Sequence, residues 1–600
     1  MRFDQNENPQ VGKSIPEVCL GAALRYSKAD ALNNKRGGEW LHVTAEEFVQ
    51  RVRHVALGLA ELGVKPGDRI ALLSENRPEW SIADLAILSL GAINVPIYTT
   101  QAVEQVQFIL EDSGASFIFV SGRKIYKHAK AGIDASSALK RILFFDPEVS
   151  VERGMTLEEL EALGAQHDQQ DPARFDSLLD QVKSGDLATI IYTSGTTGEP
   201  KGVMLSHGNF LSNVRSITSA LPISSKDVAL SVLPLSHIFE RTVFYVFCAT
   251  GVSVYYSASF DQVAEHLRDV RPTIMTAVPR LFEKVYHRIM KKGLSAEGFR
   301  KRLFLWALDV GIRYAEARDK RAFVSPILAA QQAVASRMVF SKWREGVGGR
   351  LRYFVSGGAS LSPTLSYAFL AADIPILQGY GMTETCVVSA NRPDDNRVGS
   401  VGLPFPGVDV KIAEDGEILV RGPNVMLGYY KHPEATAEVL RDGWFSTGDV
   451  GRFDDSGHLY ITDRKKDLFK LSNGKYVAPQ LMESLVKQSE LVNQVVVVGS
   501  GRKFPAALIV PDWESLAGIM PAGWGDRSRT ERSRDPEALK KVQSEITGLT
   551  AELNDYERIR RVALLPDEFT IDGGELTPTL KVKRRVIDEK FGRIIDELYG

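Results

Sequence analysis

Residues 192–202 read YTSGTTGEPKG, with four hydroxyl-bearing residues and two glycines in succession from Thr193 to Gly198, then a lysine at 201. Gly195 and Gly198 permit backbone conformations closed to other residues, and successive N–H groups in such a loop form an anion-binding concavity. Thr193, Ser194, Thr196 and Thr197 add hydroxyls that donate to phosphate oxygens or ligate a hard cation, and Lys201 adds a full positive charge. Two familiar phosphate fingerprints are excluded. The P-loop needs Gly-Lys-Ser/Thr at its end, and position 200 is proline; no G-x-G-x-x-G follows a predicted strand, so a Rossmann dinucleotide site is unsupported. A solvated Ser/Thr/Gly linker is the plain alternative. A linker, however, has no need of the short buried strand read at 187–192 before it or of the strand-like run 202–205 after it.

The whole chain has the size of two or more domains: 600 residues exceed one ordinary core. Its 44% hydrophobic and 25% charged residues are those of a globular protein. A net charge of −2 makes no case for a nucleic-acid partner. Cys19, Cys248 and Cys386 are odd in number and widely spaced, which argues against a disulfide framework. The N-terminus has no apolar signal-like run, and the most apolar stretch, 243–256, is too short to span a bilayer. The expected location is cytoplasmic, with peripheral membrane contact left open; oligomeric state is not readable.

Helical spacing over 44–62, with Thr44 as N-cap and Gly63 beyond the end, is followed by a strand at 69–73, a helix at 78–90 and a strand at 93–98. Further strands are expected at 115–121, 227–233, 251–256 and 272–278. Strands alternating with helices predict parallel sheets covered on both faces.

Two regions differ in texture. Residues 291–350 carry 13 Lys/Arg against 5 Asp/Glu, and the stretch 299–321 sets Phe304, Trp306 and Leu308 among basic residues. It reads either as a helical insertion packing its apolar side on the core or as a surface that meets anionic lipid. After the charged run DRKKD at 463–467, a small α+β unit is expected, with strands at 495–498 and 506–510 and a helix at 535–556. A mobile polar loop is expected at 521–534.

Four more stretches carry chemistry. YFVSGGA (353–359) is a strand entering a double-glycine turn, where a flat ring meets bare backbone. QGYGMTET (378–385) offers an aromatic stacking surface and, in Glu384, a hard oxygen ligand for Mg²⁺. WFSTGDV (444–450) sets Asp449 after a glycine turn, where a carboxylate accepts ribose hydroxyls. LTPTLKVKRR (576–585) brings Lys581 close to the C-terminus.

In this order and spacing the motifs resemble the adenylate-forming superfamily. DGWFSTGDVGRFDDSGHLYITDRKKDLFK (442–470) resembles its fatty-acyl-CoA synthetase signature, and AVPRLFEKV (277–285), KLSNGKYVAPQ (470–480) and LTPTLKVKRR (576–585) are similar to the long-chain acyl-CoA synthetases. The resemblance implies an α/β fold: a large N-terminal domain (1–465) with parallel-rich sheets flanked by helices, plus a small mobile α+β C-terminal domain (466–600). It implies activation of a long-chain fatty acid with ATP and Mg²⁺, then transfer to coenzyme A. Residues 193–198 would wrap the β/γ phosphates, with Lys201 beside them. Mg²⁺ would sit between Thr193 and Glu384. Gly358, Gln378, Gly379 and Tyr380 would hold adenine, with Thr383 near the α-phosphate. Asp449, Arg464 and Lys470 would hold ribose and phosphate, and Lys581 would bridge carboxylate and α-phosphate. Lys466 would be the hinge, and Ser472, Asn473 and Gly474 would guide pantetheine. His237, in PLSHIFER (234–241), matches a position near the acyl and thiol tunnel; its plain alternative is a satisfied histidine at a strand end. Leu580 stands where much of the superfamily has glycine, which makes Lys583 a rival to Lys581. Two other activities stay open: loading an acyl carrier protein, or an inactive fatty-acid-binding relative.

Overall fold

The computed structural model describes residues 12–149, 151–193, 200–465, 467–570, 573–577 and 582–600. Among these, two large sheets form the body of the molecule. One runs Leu403–Pro404, Cys386–Ala390, Ile376–Met382, Tyr353–Ser356, Ile274–Ala277, Val228–Ser231, Ser253–Tyr256, Leu32–Arg36, Glu39–Val43. Its middle is parallel and its ends are antiparallel. The other runs Gly428–Tyr429, Lys201–Ser206, Leu187–Thr193, Ile93–Ile97, Arg69–Leu73, Phe117–Val120, Arg141–Phe144, Gly154–Thr156. It is parallel from Leu187–Thr193 onward.

Burial on both faces follows from the two-residue period of a strand. In Arg69–Leu73, Ile70 and Leu72 enter the core between the two sheets, while Ala71 and Leu73 enter a second core outside. In the first sheet Ala229, Ile274 and Tyr353 face the shared core, while Leu230, Met275 and Phe354 face a third. The strands expected from the apolar runs are present within two residues, except that 495–498 begins three residues earlier, at Val492. The helix Ala45–Glu61 starts as read, with the Thr44 hydroxyl accepting from the Glu47 N–H.

The basic segment 291–350 is helical, chiefly Gly298–Asp319 and Pro326–Ala335. Phe304 and Leu308 are buried in the third core and Trp306 packs against it. Those three apolar side chains therefore face inward, as the insertion reading requires.

Beyond residue 468, two smaller cores line the opposite faces of the sheet Val492–Val498, Ala506–Pro511, Arg561–Leu564. The fold is thus a large part with parallel-rich sheets and a smaller C-terminal α+β part. Two details correct the sequence reading. The helix expected over 535–556 ends sooner, as Pro536–Leu549. The expected mobile loop 521–534 contains short helical turns and one anchor, although most of it is exposed: Trp524 is buried, its indole N–H donates to Asp535 (2.9 Å), and Ser528 and Glu531 form a capping box for Arg529–Ser533. Burying one indole outweighs the polar character of its neighbours.

Candidate active site

The strands Leu187–Thr193 and Lys201–Ser206 pair antiparallel with Thr193 opposite Lys201. A linker between domains would not return its ends to adjacent positions. Thr193 and Lys201 both line a cavity of about 1480 Å³. Ser194, Gly195, Thr196, Thr197 and Gly198 lie outside the described residues, as do Lys466 and Lys581.

The same cavity is lined by His237, Gly358, Gln378, Gly379, Tyr380, Thr383, Glu384, Asp449 and Arg464. Sequence neighbours of a loop do not bring these together; the topology does. Tyr353–Ser356 and Ile376–Met382 are adjacent parallel strands, so the turn after one and the end of the other meet at a single sheet edge. Gly358 holds φ +84°, a left-handed conformation that favours glycine. With its amide turned to accept from the Leu361 N–H (2.9 Å) and donate to the Ser400 carbonyl (3.1 Å), Gln378 ties that turn down. Its side chain is thereby occupied with protein.

Asp449 is buried and held on both oxygens. Tyr380 donates to one (2.6 Å) and the Arg464 Nε–H to the other (2.9 Å). Arg464 arrives because Asp449 and Arg464 are register partners in adjoining antiparallel strands. Burial, reinforced by the Asp449 carboxylate, pushes the Tyr380 phenol well above its ordinary range, so it stays a donor at any working pH. Each carboxylate oxygen keeps a lone pair for another donor.

Glu384 accepts from the Tyr429 hydroxyl (3.0 Å), and burial followed by that carboxylate raises the Tyr429 phenol in the same way. Tyr429 pairs with Val203 beside Lys201, and the Lys201 ammonium lies 5.2 Å from the Tyr429 ring centroid. No preformed cluster of three His, Cys, Asp or Glu exists among the described residues. A hydroxyl from Thr193 and a carboxylate from Glu384 on one cavity nonetheless suit Mg²⁺, which keeps waters and takes phosphate oxygens to complete its octahedron.

His237 caps the helix Ile238–Thr250, its Nδ1 accepting from the Phe239 N–H (3.2 Å). In the neutral ring the proton is then on Nε2. The capping role and the cavity position hold together.

Four of the proposed positions lie elsewhere in this arrangement. Lys470 is exposed, with its ammonium 5.7 Å from the Tyr476 ring centroid. Ser472, Asn473 and Gly474 form an exposed turn, and Asn473 borders a separate small depression. The cavity is instead lined from the C-terminal part by Leu576, Thr577, Val582, Lys583 and Arg584. The segment flanking Lys581 thus faces the site while the 472–474 turn does not.

The families that share this sequence pattern agree with the geometry. Residues 21–430 match the AMP-binding enzyme family and residues 466–600 match the AMP-binding enzyme C-terminal domain. The chain belongs to the AMP-binding enzymes. A long-chain-fatty-acid–CoA ligase, FadD15 of Mycobacterium bovis, is 37% identical over 576 residues, covering 94% of this chain and 93% of the relative. Long-chain-fatty-acid–CoA ligase 1 of Cavia porcellus is 33% identical, covering 94% and 82%. Among solved structures, the adenylation domain of a carboxylate reductase from Mycobacterium chelonae superposes with a TM-score of 0.76 at 24% identity, covering 99% of this chain and 92% of that one. At that identity the likeness concerns fold.

Sequence reading of this AMP-binding enzyme missed the apolar end of the cavity. Ile217, Leu221, Ile238, Val243, Val246, Phe247 and Phe405 line it, most of them from two helices, His207–Ala220 and Ile238–Thr250. The second helix is buried nearly all round. The available signal is the apolar run from Val243, which is too short to span a bilayer and so marks a buried helix.

Proposed function

We propose that this protein activates a long-chain fatty acid with ATP to the acyl adenylate and transfers the acyl group to coenzyme A, giving acyl-CoA, AMP and pyrophosphate. One observation carries the reading. A single cavity is lined both by polar groups, Tyr380, Glu384, Asp449 and Arg464, and by apolar side chains, Val243, Val246 and Phe247. A nucleotide and an alkyl chain fit such a cavity together. The long-chain ligases that align over nearly the whole chain support the same substrates.

The acyl carboxylate attacks the α-phosphorus in line, a P–O bond to the acyl group forms and pyrophosphate departs. Charge grows on phosphate oxygens, so the residues act by position and electrostatics. Residues 193–198 and Lys201 cradle the β/γ phosphates, and Thr383 lies by the α-phosphate. Gly358, Gln378, Gly379 and Tyr380 form the adenine wall, with backbone rather than the Gln378 amide facing the base. Asp449, already fixed by Tyr380 and Arg464, accepts from ribose hydroxyls. Thr193 and Glu384 hold Mg²⁺, which neutralises phosphate charge when bound. Lys581 bridges carboxylate and α-phosphate, and the apolar helix faces hold the chain, with His237 at their start.

Thiol attack then needs Lys581 withdrawn and the 472–474 turn brought in, with Lys470 following it. A boundary at 465/466 and a hinge at Lys466 serve that exchange. The exposed position of the turn, against the cavity position of Thr577 and Val582, suits the adenylating arrangement. The enzyme's working place is an anionic membrane surface, reached through the 291–350 segment.

The test is a coenzyme A-dependent assay of AMP release across acids of two to twenty carbons. Long acids turning over with thioester on coenzyme A is the expected result. Turnover only with a carrier protein, or only with short acids, refutes it.

A further inference from the structure

The helix Pro326–Ala335 has one fastened face and one bare face. On its inner side Ala335 is buried, Gln332 donates to the Ala371 carbonyl (2.7 Å), and Ser325 caps the first turn through the Leu328 N–H (3.2 Å). Its outer side carries Ile327 and Val334, exposed to 72% and 49%. Phe323, 87% exposed, precedes it, and Met338, 47% exposed, follows in the wide turn Ser336–Phe340 that sends Phe340 inward. The seven-residue spacing of Ile327 and Val334 puts both on one face of the helix, and the exposed Phe323 and Met338 flank them just before and just after it. Scattered exposed apolar residues need no explanation, but an aligned ridge does.

Charge says what covers it. Residues 322–336 contain no charged side chain, whereas Lys320 and Arg321 stand at one end and Arg337 and Lys342 at the other. Arg337 and Lys342 have no ion pair among the described residues, while Lys320 pairs with Glu316 and Arg321 lies 3.5 Å from Asp395. A second copy of the chain meeting the ridge about a two-fold axis would bring these cations against their own kind. A surface that is apolar beneath a negative plane satisfies both parts at once. This differs from the arrangement expected from the sequence, in which Phe304, Trp306 and Leu308 were the apolar contacts; those face the core.

We propose that the ridge Phe323–Ile327–Val334–Met338, with its bracketing cations, docks on an anionic lipid bilayer, the helix lying in the interface plane. The proposal deepens the acyl-CoA ligase reading, since long acyl chains reside in bilayers, and its test separates the two. The full-length protein is sedimented with phosphatidylcholine vesicles and with vesicles containing about one-third phosphatidylglycerol, at low and high salt. Three proteins are compared: wild type, Phe323→Ser/Ile327→Ser/Val334→Ser, and Arg321→Gln/Arg337→Gln/Lys342→Gln. All substituted side chains are exposed, and ATP–pyrophosphate exchange on a soluble medium-chain acid reports an intact site.

Expected are preferential binding to the anionic vesicles, weakened by salt, and a loss of tenfold or more in the serine variant. The glutamine variant should lose about fivefold per cation at low salt, with exchange unchanged in both. Equal binding to both vesicle types overturns the proposal. So does undiminished binding by the variants, or a serine variant that only turns a dimer into a monomer. Absent exchange in the wild type would remove the ligase reading while leaving the docking result to stand by itself.

Discussion

Glu240 offers a pH-dependent stability test with a worked magnitude. It follows Phe239 in the helix Ile238–Thr250 and is buried, accepting from Ser231 Oγ (2.5 Å) and Thr276 Oγ1 (2.6 Å), with no cation bonded to it among the described residues. Burial pushes its carboxyl from an ordinary 4.5 up to about 7, and the two hydroxyls offset only part of that cost. The folded state therefore holds a proton that the unfolded chain releases between pH 4.5 and 7. By linkage the group's contribution is full below 4.5, falls through that window, and is lost above 7. The rise corresponds to about 3 kcal/mol between the two limits. Glu240→Gln keeps the shape, accepts from one hydroxyl and donates to the other, and cannot ionise. In urea unfolding followed by tryptophan fluorescence at pH 5, 6.5 and 8, the variant should gain on the wild type by about 2 to 3 kcal/mol from the lowest to the highest pH. Taking the difference between proteins cancels every other titrating group. A difference that stays constant within about 0.5 kcal/mol, the ordinary scatter of independent changes, would refute a buried carboxyl titrating in this window.

Lys581→Ala should abolish ATP–pyrophosphate exchange by on the order of a hundredfold or more while sparing thioester formation from supplied acyl adenylate; the selective loss appearing in Lys583→Ala instead would move the assignment by two residues. Lys466→Pro should leave pyrophosphate release intact and block thioester formation, because proline fixes φ where a hinge must take two values; normal thioester turnover would remove 466 as the hinge. Arg241→Met should destabilise by about 3 to 5 kcal/mol in the same urea assay, since Arg241 and Asp84 are a fully buried pair (2.5 Å); a loss under about 1 kcal/mol would mean Asp84 is satisfied by its other partners.

What the sequence made legible was what backbone periodicity and special residues encode. The continuous apolar runs at 69–73 and 187–192 are the interior strands of a sheet buried on both faces, and a run of that kind has few other readings. The nucleotide end was legible for a related reason. Gly358 needs a positive φ, and Asp449 depends on its register partner Arg464, so both leave marks at fixed places in the chain. The antiparallel sheet built from Asp409–Ile412, Glu417–Arg421 and Trp444–Phe453 leaves no such mark in the sequence. Two of its strands alternate buried and half-exposed positions, Asp409–Ile412 has no buried position, and all three include charged residues, so they lack a long apolar run. The short helical turns within 521–534 are hidden by composition, although Ser528 and Glu531 stand at capping-box spacing. The outer ridge at 323–338 was invisible for the opposite reason: Ile327 and Val334 look like any core residues until the helix is fastened by its other side.

The apolar lining proposed to hold the acyl chain shows why chain-length preference resists reading from sequence. Ile238, Val243, Val246, Phe247 and Phe405 line the cavity and also belong to the core between the two sheets. The chain pocket is therefore a gap in an otherwise close-packed interior, and its depth is set by small displacements of side chains that are all interchangeable in pattern. The helix that supplies Val243 and Val246 is anchored by Arg241, whose guanidinium binds Asp84 of the helix Pro78–Ser89 and the hydroxyl of Thr189 (2.8 Å). Thr189 lies four residues before Thr193 on the strand that leads into the phosphate loop. One buried cation thus fixes the wall of the acyl pocket to the strand that presents the nucleotide end. In the proposed reaction the carboxylate of the acid sits where those two parts meet, and the geometry between them is held by the core.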